Sequence, residues 1–144
     1  MVDRLSVTAG AGATTQVRRF VTEFAAVRGI SADDVARIMV MLEELLTNLE
    51  KYGTRAGQPG EAEIAIGLAD AELTVDYSDN GVAFDPFSRT LAPLDLPLEE
   101  RQVGGLGLHL LRELSHAASY RRTDGRNRIL LMCRVIPAPP TSPS

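Results

Sequence analysis

The sequence contains a single cysteine, Cys133, and this scarcity excludes both an internal disulfide and a metal site built from several thiolates. It also lacks any apolar run near the roughly 20 residues that a membrane-spanning helix requires. Residues 1–10 have no hydrophobic signal core. We therefore expect a soluble, cytoplasmic protein with no membrane partner.

Positive charge is also scarce, because 15 lysines and arginines are set against 19 aspartates and glutamates, for a net charge of −4. The chain has no basic field to hold a nucleic-acid backbone, so we expect no nucleic-acid partner. Its 144 residues, 44% of them hydrophobic, suffice for the core of one domain. We expect that domain over residues 1–136, followed by a disordered tail rich in proline and serine over residues 137–144.

One predicted helix, ending near Gly53, carries two polar residues one turn apart. Glu44 and Asn48 are four positions apart, so they lie above each other at the rim of an apolar stripe. The stripe comprises apolar residues at spacings of three and four: Val35, Ile38, Leu42, Leu45, Leu46 and Leu49. A carboxylate and an amide at such a rim can hold a hydrated Mg²⁺, or the carboxylate can take a proton. The alternative is that both residues belong to the solvated face of an amphipathic helix.

A second polar residue of interest is Asp79, at the end of a predicted strand. Leu73, Val75 and Tyr77 share one face of that strand, and counting on by two places Asp79 on the same buried face. A buried carboxylate requires an internal donor or a ligand that supplies one. The alternative is that the strand ends at Ser78 and Asp79 begins the turn at Asn80 and Gly81.

The third feature is a long loop that leads into a glycine motif. Residues 81–103 include three prolines and no clear period, which is typical of a functional lid. Gly104, Gly105 and Gly107 then precede apolar residues at helical spacing, so the free N–H groups at that helix start can bind an anion such as a phosphate. An ordinary flexible hinge is the alternative reading of these glycines.

The remaining patterns complete the predicted fold. Thr14 or Thr15 is expected to cap the first helix, which ends at Gly29, and Ser31 is expected to cap the second. A hairpin is predicted at residues 124–126. The predicted order is strand, helix, helix, two strands, lid, helix and two strands. We expect an α+β two-layer sandwich, with a mostly antiparallel mixed sheet and three helices on one face.

Three motifs occur in one order: Glu44-x-x-x-Asn48 on a helix, Asp79-x-Gly81 at a strand end, and Gly105-x-Gly107 opening a helix. This ordered set resembles the GHKL, or Bergerat-fold, ATP-binding superfamily. The stretches EELLTN, DNGVAFDP, GGLGLHLLREL and RRTDGRNRILL look like those of the bacterial anti-sigma factor serine/threonine kinases. The resemblance covers residues 5–135.

The resemblance implies a role for each matching residue. Asn48 would coordinate the Mg²⁺ that bridges the ATP phosphates, and Glu44 stands where the family keeps its catalytic base. Asp79 would accept a hydrogen bond from the adenine amino group, and Gly81 would let the backbone pass close to the base. The remaining residues expected to contact nucleotide are Ala83, Arg101, Gly104, Gly105, Leu106, Gly107 and Leu108.

Two departures from the family pattern affect this set. Ala83 replaces a glycine found in many superfamily members, and residues 128–131 contain no threonine to bind adenine through water. That role is therefore unassigned. Of the two lid cations, Arg89 and Arg101, we assign the γ-phosphate contact to Arg101 because it is nearer the glycines.

The function implied is an ATP- and Mg²⁺-dependent serine/threonine kinase. It would phosphorylate an anti-anti-sigma partner of the STAS type, sequester a sigma factor or similar client, and form a homodimer. The alternative is a nucleotide-binding partner-switch regulator without phosphoryl transfer. The ATP-binding half of a histidine kinase is disfavoured, because no stretch offers a phosphoacceptor helix hairpin.

Overall fold

A computed structural model describes residues 2–53, 57–86 and 115–135. Within these residues, five strands and two α-helices follow one another along the chain. They are β1 (Val2–Thr8), α1 (Ala13–Arg28), α2 (Ala32–Asn48), β2 (Glu61–Ala69), β3 (Glu72–Asp79), β4 (Ala117–Thr123) and β5 (Arg126–Arg134). The predicted lid beyond Pro86, the glycine motif, the third helix and the tail lie outside the described residues.

The two helices begin in different ways. At α2 the Ser31 side chain accepts a hydrogen bond from the Asp34 N–H at 3.2 Å, as predicted for its N-cap. The prediction that Thr14 or Thr15 caps α1 was wrong, because the helix already begins at Ala13. Its N-cap is Gly12, which has a φ of 90° and makes no side-chain cap hydrogen bond. Glycine takes this backbone conformation without the strain that a threonine would meet.

The helix that carries Glu44 and Asn48 changes its winding just after Asn48. Residues Leu49–Gly53 form one π-helical turn, so the helical segment ends at Gly53, as predicted. The Leu49 N–H is shared between the carbonyls of Leu45 and Leu46, as is common where an α-helix ends. Single π turns of this kind occur frequently at functional sites.

The sheet has the strand order β1-β2-β3-β5-β4, and each pairing among the described strands is antiparallel. The antiparallel prediction is therefore confirmed, whereas the described strands show no mixed pairing. Two-residue turns at Asp70 and Ala71 and at Asp124 and Gly125 join β2 to β3 and β4 to β5. All four residues have positive φ, the conformation that the right-handed twist of a hairpin favours.

The core lies between one face of the sheet and the two helices. Register places Ile64, Tyr77 and Ile129 side by side across β2, β3 and β5, and all three are at most 1% exposed. Buried residues of both helices join the same apolar cluster, including Val21 and Leu42. The described part is thus a two-layer α+β arrangement, and no helix in it is long and apolar enough to cross a bilayer. The same register sets Asp79 directly opposite Asn127.

Candidate functional site

A cavity opens where α2 and β3 end and β5 begins. It encloses about 380 Å³, part of which is open to solvent. Most of its lining is apolar, but three polar side chains face it, from Asn48, Asp79 and Asn127. The other lining residues are Leu45, Leu49, Val82, Phe84 and Ile129. A concave, mainly apolar site with a few fixed polar groups is the usual form of a small-molecule site.

Asp79 is the last residue of β3 and is only 6% exposed, so the alternative that the strand ends at Ser78 is wrong. Three donors meet its carboxylate. The Tyr77 hydroxyl donates to Oδ2 at 2.7 Å, while the Gly81 N–H and the Asn127 Nδ2 donate to Oδ1 at 3.0 and 2.8 Å. A carboxylate has about four acceptor directions, so Oδ2 can accept one more hydrogen bond from a ligand.

Tyr77 is held as a neutral donor beneath this carboxylate. Burial raises the pKa of its hydroxyl well above the usual value, and the charge and hydrogen bond of Asp79 raise it further. The positive charge of Arg126 offsets only part of that increase. The hydroxyl proton is therefore retained at neutral pH, and it serves Asp79 rather than a ligand.

Asn48 lines the opposite wall, with Glu44 one turn earlier on α2, and one polar atom of each side chain is unsatisfied. Glu44 Oε1 and Asn48 Nδ2 are buried without a hydrogen-bond partner among the described residues. Burial raises the pKa of the Glu44 carboxyl, although the nearby Asn48 amide and the charge of Lys51 offset part of the increase. Asn48 lines the cavity, whereas Glu44 lies one turn earlier on α2 and is not part of the lining.

These unsatisfied atoms test whether the site suits a metal. The unpaired Glu44 Oε1 is an acceptor of the kind that Mg²⁺ or its waters take, and Asn48 offers an amide oxygen for the metal as well as the unpaired donor Nδ2, which suits a phosphate oxygen. Among the described residues, no group of three or more histidine, cysteine, aspartate or glutamate side chains is placed to hold a metal ion. With Glu44 and Asn48 as the protein donors, a Mg²⁺ ion would take its other ligands from water and nucleotide phosphates, as is usual for this metal.

The other predicted contacts divide between the described and undescribed parts of the chain. Gly81 is buried behind the cavity, where its N–H donates to Asp79 and its carbonyl accepts from Arg122 Nη1 at 2.8 Å. Ala83 is exposed and does not line the cavity. The predicted contacts that lie outside the described residues are Arg101, Gly104, Gly105, Leu106, Gly107 and Leu108.

Sequence reasoning missed one residue of the site, Asn127. It is 3% exposed, lines the cavity and donates to Asp79. The family's adenine-binding threonine was expected at residues 128–131, and Asn127 lies one position before that range. The turn at Asp124 and Gly125 sets only the register of β4 with β5, so no local signal places the start of β5 opposite the end of β3.

Comparisons with known proteins agree with this geometry. The sequence profile described as the histidine kinase-like ATPase domain matches residues 7–133. A serine/threonine-protein kinase, BtrW of Bordetella bronchiseptica, is 34% identical over 95 residues, which cover 66% of this chain and 67% of that protein. A serine-protein kinase, RsbW of Bacillus thuringiensis, is 30% identical over 101 residues, which cover 67% of this chain and 62% of that protein.

A solved structure shares the fold. The crystal structure of the RsbU and RsbW domains of a Mycobacterium tuberculosis protein superimposes with a TM-score of 0.65, covering 94% of this chain and 32% of that one. At 18% sequence identity, this likeness concerns the fold alone. Because the family profile spans most of the sequence, the chain belongs to the histidine kinase-like ATPase domain family, as its GHKL-type motifs predicted.

Proposed function

We propose that this protein is an ATP-dependent serine/threonine kinase of the anti-sigma factor type. Its substrate would be a serine hydroxyl on an anti-anti-sigma partner of the STAS class, and its client a sigma factor. The observation that carries the proposal is the cavity in which Asp79 keeps one free acceptor direction while Asn48 faces it from the helix wall. The names of the matched kinases support the same activity.

On the sheet side, Asp79 would accept a hydrogen bond from the adenine amino group. Its carboxylate is already positioned by Tyr77, Gly81 and Asn127, so little ordering would be required on binding. The apolar lining residues Val82, Phe84 and Ile129 would cover the faces of the purine. Gly81, buried behind the carboxylate, lets the backbone pass close to the base.

On the helix side, the side-chain oxygen of Asn48 would hold Mg²⁺ and thereby position the phosphates. The metal, when bound, neutralises charge on the phosphate oxygens as the phosphoryl group leaves ADP. Glu44 would accept the proton of the partner's serine hydroxyl, and its raised pKa makes it a stronger base than an exposed glutamate. Outside the described residues, we assign Arg101 and the glycines at 104, 105 and 107 to the phosphates, with Leu106 and Leu108 behind them.

The test is transfer of phosphate to serine. The purified protein, Mg·ATP and a STAS-type partner should yield phosphoserine, measured by mass spectrometry. Glu44→Ala should lower the rate by at least about 100-fold while ATP affinity stays within about threefold. Glu43→Ala is the matched control, because Glu43 is the preceding residue on α2 and pairs with Arg18 at 2.9 Å instead.

The second candidate is a nucleotide-binding regulator that switches partners without phosphoryl transfer. In that case ATP binds, no phosphoserine forms, and Glu44→Ala leaves capture of the client unchanged. Wild-type protein that binds ATP but never phosphorylates a partner would reject the kinase proposal. We extend the homodimer expected from the family to this chain as part of the proposal.

A further inference from the structure

We infer that Asn127 is the positioning residue that orients Asp79 and so determines the preference of the site for a 6-aminopurine over a 6-oxopurine. The inference rests on the proposed function, since it concerns the same adenine contact. Asn127 contacts the nucleotide-recognising carboxylate from the neighbouring strand, and the family resemblance left this position without a role.

The amide of Asn127 has its full complement of hydrogen bonds, and its orientation is unambiguous. Its Nδ2 donates to two acceptors, Asp79 Oδ1 and the Val82 carbonyl, both at 2.8 Å. Its Oδ1 accepts from three donors: the Phe84 N–H at 3.1 Å, the Tyr120 hydroxyl at 2.6 Å and Arg122 Nη1 at 3.1 Å. If the amide were flipped, its NH₂ group would face the three donors and its oxygen would face the two acceptors. Only one orientation is therefore compatible with these neighbours.

This arrangement controls which acceptor direction of Asp79 is open. Asn127 and the Gly81 N–H occupy Oδ1, and the Tyr77 hydroxyl occupies one direction of Oδ2. The carboxylate therefore cannot rotate without losing charge-assisted hydrogen bonds. A single acceptor direction at Oδ2 is left for the ligand.

Asn127 also fixes the cavity wall beside that carboxylate. The backbone groups that it binds belong to Val82 and Phe84, and both residues line the cavity. A threonine hydroxyl supplies only one donor, so it could not bind Asp79 and the Val82 carbonyl together. The Asn127 amide therefore links, through its hydrogen bonds, the Asp79 carboxylate and the backbone of Val82 and Phe84, whose side chains would cover the base.

The chemical consequence is selectivity at position 6 of the purine. An amino group donates to the open direction of Asp79, whereas an oxo group places its lone pairs against a fixed carboxylate. Without the Asn127 donor, only the Tyr77 hydroxyl and the Gly81 N–H hold the carboxylate, so the amino group meets a less well aligned acceptor and the oxo group escapes part of the repulsion. A general loss of protein stability would instead lower the affinities for both nucleotides by the same factor.

The test compares ADP with IDP by calorimetry in the presence of Mg²⁺. Wild-type protein should prefer ADP by at least about tenfold. Asn127→Ala should reduce the ADP-to-IDP affinity ratio by about fivefold or more, mainly by weakening ADP. Asn127→Ser keeps one donor and should reduce the ratio less, and it replaces the alanine variant if that one does not fold.

Asn80→Ala is the matched control. Asn80 is the neighbour of Asp79, but its side chain bonds the Glu61 N–H at 2.8 Å and the Pro59 carbonyl at 3.2 Å, away from the carboxylate. This variant should keep the wild-type ratio. A folded Asn127 variant with the wild-type ratio would overturn the inference, whereas wild-type protein that does not distinguish ADP from IDP would instead overturn the adenine contact proposed for Asp79.

Discussion

The two walls of the cavity differ in how completely their polar atoms are paired. On the sheet wall, the Asn127 amide donates to the Asp79 carboxylate, and both side chains form further hydrogen bonds with their surroundings. On the helix wall, Glu44 Oε1 and Asn48 Nδ2 have no partner among the described residues. The sheet wall is thus internally paired, and we propose that a bound ligand supplies the partners missing on the helix wall.

The unpaired wall has a cost in the free protein. Leaving a buried polar group unsatisfied typically destabilises a fold by about 1–3 kcal/mol. Natural proteins tolerate such costs mainly at functional sites, where a ligand later supplies the missing partners. Changes on the helix wall should therefore impair function more than stability, and changes on the sheet wall should impair both.

The largest effect is expected for Asn48→Ala. Loss of the proposed metal ligand should lower Mg²⁺-dependent phosphoryl transfer by about 100-fold or more, while the apo protein unfolds at the wild-type temperature or slightly above it. Transfer assays across a Mg²⁺ titration and thermal unfolding measure the two effects. Thr47→Ala, the preceding residue on α2, should keep activity. If transfer by Asn48→Ala depended on Mg²⁺ as transfer by wild type does, Asn48 would not be a ligand of the metal.

Asp79→Asn should come next, with a loss of ATP affinity of roughly 1.5–3 kcal/mol, because the adenine amino group loses a charged acceptor. The variant should also unfold more readily, since three donors now face an amide. Calorimetry and denaturant unfolding measure the two losses. Asp76→Asn, an exposed residue of the same strand, serves as the control. Wild-type ATP affinity in Asp79→Asn would contradict the base contact.

A smaller effect is expected for Tyr77→Phe. Removing the buried hydroxyl should lower the free energy of unfolding by about 1–2 kcal/mol, because Asp79 Oδ2 loses its donor inside the fold. ADP affinity should fall by less than in Asp79→Asn, since the accepting carboxylate is kept. Urea unfolding with and without ADP separates these quantities. If the variant had the same free energy of unfolding as wild type, the hydrogen bond from Tyr77 to Asp79 would not stabilise the sheet wall.

The smallest effect is a gain in stability, for Glu44→Gln. Burial raises the pKa of Glu44 in the folded state, so the folded protein disfavours the charged form. Wild type and variant should unfold alike below the unfolded-state pKa of about 4.3. As the pH rises through the folded-state pKa, wild type should become less stable than the variant, by at most about 1 kcal/mol.

Thermal unfolding of both proteins from pH 4 to pH 8 checks this sign. A Glu44→Gln variant less stable than wild type at neutral pH would mean that the charged carboxylate has an internal partner. The contrast between the two walls would then be lost.

Local patterns in the sequence predicted much of the fold and several parts of the site. Alternation placed Asp79 on the buried face of β3, helical spacing set Glu44 and Asn48 one turn apart, and Ser31 marked the start of α2. Each of these depends on neighbours within a few residues. The prediction that failed, the threonine cap of α1, concerns a helix end, where several local conformations differ little in free energy.

By itself, the sequence determined which faces are buried and which residue types stand at the ends of α2 and β3, because periodicity acts over a few residues. Only the tertiary structure decided which polar atoms are paired. Asp79 receives its hydrogen bond from Asn127, 48 positions further along the chain, because sheet register brings the ends of β3 and β5 together. Glu44 Oε1 and Asn48 Nδ2 have no partner among the described residues, although they lie one turn apart on the same helix, because side-chain geometry in the packed fold and not sequence spacing decides which atoms meet.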